Sequence, residues 1–145
     1  MSQQPTHHFK DVEPEKPGQV KFGGPTPIFN VKNVPASIDY YVKKLGFQLA
    51  WDWGVPSSFA CVTRGDTSLF LCEGGQGAPG TWLFINVEDV DLLWAEYQES
   101  DATIVQAPTN FSWGHREMNV EDLDGHRFRF ASESKGDPDE VPLPE

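Results

Sequence analysis

Hydrophobic and polar positions between residues 25 and 132 follow two spacings in a repeating order. Pro27-Ile28-Phe29-Asn30-Val31 is a short apolar strand, and a helix opens just after it. Asn33 or a neighbour caps that helix, and Pro35 suits its first turn, where a missing N–H costs nothing. Ile38, Tyr41, Val42 and Leu45 recur at helical spacing until Gly46 stops the run. Three strands are then predicted at Gln48–Trp53, Ser58–Thr63 and Ser68–Glu73. The second half starts the same way. Trp82–Val87 reads as a strand, and Val90, Leu93, Trp94 and Tyr97 mark a helix beginning near Glu88-Asp89. Strands follow at Thr103–Gln106, His115–Val120 and His126–Ala131, the last two joined by Asp124-Gly125, a strong hairpin signal. Each half is therefore strand, helix, then three strands.

The flanks do not share this order. Residues 1–24 are rich in Gln, Pro, Gly and charge without an apolar period, and are expected to form a flexible arm, with a short extended piece around Val20 to Phe22. His7-His8 reads as decoration of that arm rather than a metal tract. Residues 133–145 mix prolines with acids and are expected to form an acidic disordered tail. Gly74–Gly80 separates the halves; it has glycines but no lysine and no following helix, so it is no phosphate loop.

An apolar fraction of 38% with 12% aromatics suits one folded domain in a chain of 145 residues. No run reaches the length of a membrane span, and no signal pattern opens the chain, so a cytoplasmic address is expected. The net charge is −11, with the first 24 residues neutral and −4 on residues 133–145. That balance argues against a nucleic-acid partner, which requires a basic footprint, and is compatible with a cationic ligand. Cys61 and Cys72 fall on two strands joined by Arg64-Gly65-Asp66, in registers that do not oppose them, so free thiols are predicted.

Four pieces together resemble a known superfamily: Phe29 to Val34, Tyr40-Tyr41 through Leu45-Gly46-Phe47, Val87 to Val90, and Trp113-Gly114-His115-Arg116-Glu117 through Phe130. In this order and spacing they resemble the vicinal-oxygen-chelate superfamily, in its glyoxalase and bleomycin-resistance-protein-like (dioxygenase superfamily) branch. The resemblance covers residues 25–132. It implies an α+β fold of two βαβββ modules, 25–74 and 81–132 with linker 75–80, forming a cup-shaped mixed sheet. It also implies a homodimer in which cups of two chains face each other, although the sequence leaves open whether cups pair within or between chains.

Metal-dependent members of that superfamily place ligands at the start of each module's first strand and a glutamate on its last. Laid on that pattern, the four positions hold Thr26, Phe70, Trp82 and Arg129. None is a suitable donor, so no cofactor is expected. Period-two alternation puts Thr26, Ile28 and Asn30 on one face of the first strand, Phe70 and Cys72 on one face of the fourth, and Trp82, Phe84 and Asn86 on one face of the fifth. Arg127 and Arg129 share a face of the last strand. The opposite faces are apolar and should pack under the helices. Phe70, Trp82, Arg129, Trp51, Trp53, Phe111 and Trp113 are the candidate ligand-binding residues, with flat rings to stack a planar ligand or hold a cation. Arg129 in a cup needs an anionic partner, either a ligand anion or a protein carboxylate, with Glu73, Glu117 and Asp52 as internal candidates. Glu117 is the candidate general base, and His126 is expected to be exposed.

The function expected from these readings is metal-independent binding of a drug-like, aromatic or cationic small molecule, without catalysis. The alternative is a glyoxalase-like lyase, isomerase or dioxygenase with a non-standard or metal-free site.

Overall fold

The computed structural model of the chain describes residues 16–139. The first module comprises β1 (Ile28–Val31), α1 (Val34–Lys43), β2 (Gln48–Trp53), β3 (Phe59–Arg64) and β4 (Thr67–Glu73); the second comprises β5 (Trp82–Asn86), α2 (Val90–Ser100), β6 (Thr103–Asn110), β7 (His115–Glu121) and β8 (Arg127–Glu133). Each module makes one four-stranded mixed sheet, ordered β1-β4-β3-β2 and β5-β8-β7-β6. In each, the first strand runs parallel to the fourth and the other pairs are antiparallel. The doubled βαβββ order read from the sequence is the order observed. β6 runs four residues beyond its predicted end, through two register breaks that bend the strand as bulges do.

Helix starts follow from local chemistry. Asn33 caps α1 by accepting from Ala36 N at 2.9 Å, with Pro35 inside the first turn. Asp89 caps α2 by accepting from Asp91 N and Leu92 N, and its carboxyl lies below the ordinary range because those N–H groups and Lys135 favour the charged form. Gly46, at φ +74, follows α1 in the left-handed region that favours glycine. α1 buries Val34, Ser37, Tyr40 and Tyr41 rather than the expected Val42, which is exposed. Tyr40 takes the inward place because its hydroxyl has two partners there, donating to Glu121 O and accepting from Thr103 N.

The apolar sides of both sheets share one core. Phe29, Val31, Leu69, Leu71, Val62, Met118, Val120, Phe128 and Phe130 belong to a single buried cluster with the inner faces of both helices, and Leu83 and Ile85 pack against it. Large side chains buried this completely contribute roughly 1.5–3 kcal/mol each. Polar contacts bind the modules across that core. Arg64 donates to Leu45 O and pairs with Glu96, which draws the Glu96 carboxyl down, and Tyr97 donates its hydroxyl to Leu45 O at 2.9 Å.

His126 is fully buried, not exposed. Its ring stacks on Phe29 of the other module, with centroids 4.4 Å apart. Nδ1 accepts from Thr81 N at 3.1 Å, so Nε2 carries the proton and donates to Asn30 O at 2.7 Å. The turn that carries it is closed by Asp122, whose Oδ1 accepts from Asp124 N and His126 N while Oδ2 accepts from Tyr41 Oη. Burial pushes both the Asp122 carboxyl and the Tyr41 hydroxyl upward. The hairpin's turn signal says nothing of this contact, which exists only because the second module's turn abuts β1.

Residues 16–24 contain no helix or strand, and Val20 and Phe22 are exposed. At the other end, residues up to 139 are held. Ser134 N donates to Gly114 O, Asp139 N to Asn110 O, and Lys135 pairs with Asp89 and Asp91. The remaining arm and tail, residues 1–15 and 140–145, with His7-His8, lie outside the described residues.

Candidate functional site

With the apolar sides turned to the shared core, the concave sides of both sheets face outward. Register decides which residues they carry. On the first sheet, Ile28 and Cys61 lie beside Phe70, Phe59 lies beside Cys72, and Trp51 and Trp53 lie beside Cys61 and Phe59. Trp51 stacks on Phe59 with centroids 5.5 Å apart and planes 6° from parallel, and both rings meet Phe70 at 5.4 and 5.2 Å. Trp53 is 71% exposed. This face is an aromatic floor with almost no charge. Cys61 and Cys72 are buried free thiols on it, and burial pushes Cys61 up to about 11, which suppresses its thiolate.

The second concave face has different chemistry. Trp82 and Phe84 of β5 lie beside Arg127 and Arg129 of β8, each guanidinium placed over its neighbouring ring at 5.3 and 5.7 Å. β7 adds Glu117, Asn119 and Glu121. Arg129 Nε donates to Glu117 Oε1 at 3.0 Å, and Trp113 Nε1 donates to Glu117 Oε2 at 2.7 Å. Glu117 is therefore the partner of Arg129, and it is only 2% exposed. Both carboxylate oxygens of Glu117 are engaged by the protein, one by Arg129 and the other by Trp113. His115 Nδ1 stands 3.8 Å from Glu117 Oε2 and its ring lies against Phe84.

The sequence-predicted site residues thus separate into two groups. Trp51, Trp53 and Phe70 share the first face; Trp82, Arg129 and Glu117 share the second, with Trp113 at its rim. Phe111, expected to offer a flat surface, is buried instead, stacked under Trp113 at 4.6 Å with planes 3° apart. It backs Trp113 rather than presenting a ring of its own. Thr26 lies ahead of β1, which begins at Ile28, and is not on the strand as expected. Sequence reading passed over Phe59 and Asn119. Alternation carried the signal for both, since Phe59 precedes Cys61 by two and Asn119 lies between Met118 and Val120.

The donor set on these faces does not fit a divalent metal ion. The positions that carry ligands in the pattern supply a threonine hydroxyl, two hydrocarbon-rich rings and a guanidinium. Arg129 is itself a cation committed to Glu117. Among the described residues no three His, Cys, Asp or Glu side chains converge to hold a metal.

A cleft of about 640 Å³ lies between the β3–β4 turn and the start of α2, with Arg64, Asp66, Ile85, Glu88, Leu92 and Tyr97 among its walls. No helix among the described residues is long and apolar enough to cross a membrane.

Residues 23–130 match the model of the Glyoxalase/Bleomycin resistance protein/Dioxygenase superfamily. The chain belongs to this family. Solved structures agree on the fold. The bleomycin-binding protein of Streptomyces verticillus, determined with copper(II)-bleomycin, is 30% identical and matches over 77% of this chain and 97% of its own, at a TM-score of 0.64. TnmS3, an antibiotic binding protein from Streptomyces sp. CB03234, is 28% identical over 80% of this chain and 100% of its own, at 0.67. TioX from Micromonospora sp. ML1 is 22% identical over 77% and 99%, at 0.68, and shares the fold. Comparison with curated proteins returned no match.

Proposed function

We propose that this family member is a metal-independent binding protein that sequesters an aromatic, drug-like small molecule, with cationic character favoured by the acidic chain. The observation that carries the reading is the pair of outward concave faces, one floored by Trp51, Phe59 and Phe70 with Trp53 exposed, the other carrying Trp82, Phe84 and Arg129. Trp82 and Phe84 are 41% and 45% exposed, which is unusual for large rings on a sheet face unless something covers them. Rings with a few fixed polar groups make a small-molecule pocket once enclosed. Two relatives above 25% identity are described as antibiotic-binding, which favours the same class of ligand here.

In a single chain the rings on both faces stay open to solvent, with Trp53, Trp82 and Phe84 exposed. A two-fold homodimer encloses them by laying the first face of one chain on the second face of its partner, giving two equivalent cavities. Phe70, Trp82, Arg129, Trp51, Trp53 and Trp113 then line each cavity, with Phe111 supporting Trp113. Arg129 and Glu117 act by holding the rings and the polar floor in place.

Tryptophan fluorescence of the full chain, titrated with metal-free bleomycin, thiol conjugates and flat aromatic cations, tests the reading alongside the molar mass in solution. Saturable quenching by at least one aromatic cation and a dimeric mass are expected. A monomer that quenches with none of them, or protein that purifies with one equivalent of a transition metal, refutes it.

A further inference from the structure

Three buried side-chain polar atoms among the described residues have no hydrogen-bond partner: Trp51 Nε1 and both the Oδ1 and Nδ2 of Asn119. All three lie on the concave faces, and nowhere else among the described residues does such an atom occur. Asn119 is the sharper case, at 1% exposure with an entire amide unsatisfied. A buried amide without partners costs free energy comparable to its lost hydrogen bonds, so a leucine of similar size would serve the fold better. A partner from outside the chain would satisfy the amide.

We infer that Asn119 is the group by which the second concave face selects its ligand, and that the ligand is a planar aromatic compound bearing a carboxamide or lactam edge. This rests on the reading of the concave faces as a ligand site. An asparagine amide offers one acceptor and a donor pair side by side, and a carboxamide or lactam is its two-point complement. The flat ring of such a ligand lies against the aromatic floor of the facing sheet, where Trp51 Nε1 donates to a second acceptor.

Neighbours on the sheet flank Asn119. Gln106 and Arg129 are its ladder partners, and Glu117 and Glu121 lie two residues away along β7. Arg129 is held by Glu117, and Glu121 faces Arg127 at 4.0 Å. Gln106 has the weaker tether, a 3.3 Å bond from Nε2 to Thr109 Oγ1, and it sits between the two register breaks of the β6–β7 ladder. On this inference, displacement of Gln106 would let a ligand amide approach without breaking an ion pair.

Calorimetric titration of the full-length protein with naphthamide and with methyl naphthoate, which keeps the ring and carbonyl but lacks N–H donors, tests the assignment. Naphthamide is expected to bind about tenfold or more tightly, the equivalent of one hydrogen bond read in full. In Asn119→Leu the two probes should bind alike, with a Tm equal to or above wild type. Equal affinities in the wild-type protein overturn the role of Asn119 while leaving the aromatic site standing, and they do so whether or not the variant folds. A fall in Tm or a failure to fold in Asn119→Leu also overturns it, by marking the amide as a structural group. If neither probe binds, the inference is overturned, while the ligand site stands or falls on the fluorescence titration.

Discussion

Replacing Arg129 by methionine isolates the ion pair that stands on the second face in place of a metal ligand set. The substitution keeps the aliphatic bulk against Phe84 and removes the charge that neutralises Glu117. Glu117 is 2% exposed and would keep the 2.7 Å bond from Trp113 Nε1, with His115 Nδ1 3.8 Å away. Breaking a buried pair by removing one partner costs about 3–5 kcal/mol, because the remaining charge stays desolvated. The Arg129 side chain is 32% exposed, so water reaches the vacated space and about 2–3 kcal/mol is the better expectation. For a chain of this length that is a loss of roughly 6–9 °C in Tm. Urea denaturation of wild type, Arg129→Met, Glu117→Gln and the double variant completes a cycle, read at one protein concentration because assembly contributes to stability. In the double variant, Glu117→Gln leaves an amide oxygen that still accepts from Trp113 but no charge to strand, so most of the loss should be recovered. An Arg129→Met variant within about 0.5 kcal/mol of wild type, the usual range of neutral surface changes, would refute a stabilising buried pair. So would a double variant no more stable than Arg129→Met alone.

Three further outcomes are expected. His126→Phe keeps the stack on Phe29 but strands Thr81 N and Asn30 O, and should cost about 2 kcal/mol in urea denaturation, as unpaired buried groups do; a neutral result would mean that neither bond holds the modules together. Cys61, buried and pushed up to about 11, should stay unreactive to a thiol reagent at pH 8 in the folded protein and react once urea unfolds it, so native labelling of Cys61 in mass spectrometry would contradict its burial. Asp91→Asn should cost about 1 kcal/mol at pH 7, typical of a partly exposed Arg–carboxylate pair. Arg116 holds the Asp91 carboxyl below its ordinary value of 3.8, so its contribution is full above that pH and lost as pH falls through the lower folded value. Wild type and Asp91→Asn should therefore converge in strongly acidic solution, and a difference that persists there points to packing instead of charge.

Much of the fold was legible because secondary structure follows local periodicity. Alternating residues placed every strand of both modules, Asn33 and Asp89 marked helix starts through the hydrogen bonds their side chains can reach, and Asp124-Gly125 marked a turn. The same alternation put Phe70, Trp82 and Arg129 on faces opposite the core. Exposure was read less well where a partner from a distant segment decides it. Tyr40 turns inward for Glu121 and Thr103, and His126 is buried against Phe29 and Asn30.

The sequence by itself determined the doubled βαβββ order and the kind of residue on each sheet face, because spacing along one strand fixes which side chains share a side. Tertiary structure decided which sides meet. The apolar faces of both modules close on one core, so the aromatic and charged faces are left turned outward. It also decided that Arg129 belongs to Glu117, that His126 joins two modules, and that Asn119 is buried with no partner. Each of these depends on register between strands and on contacts across modules, where separation along the chain carries no information about distance in space.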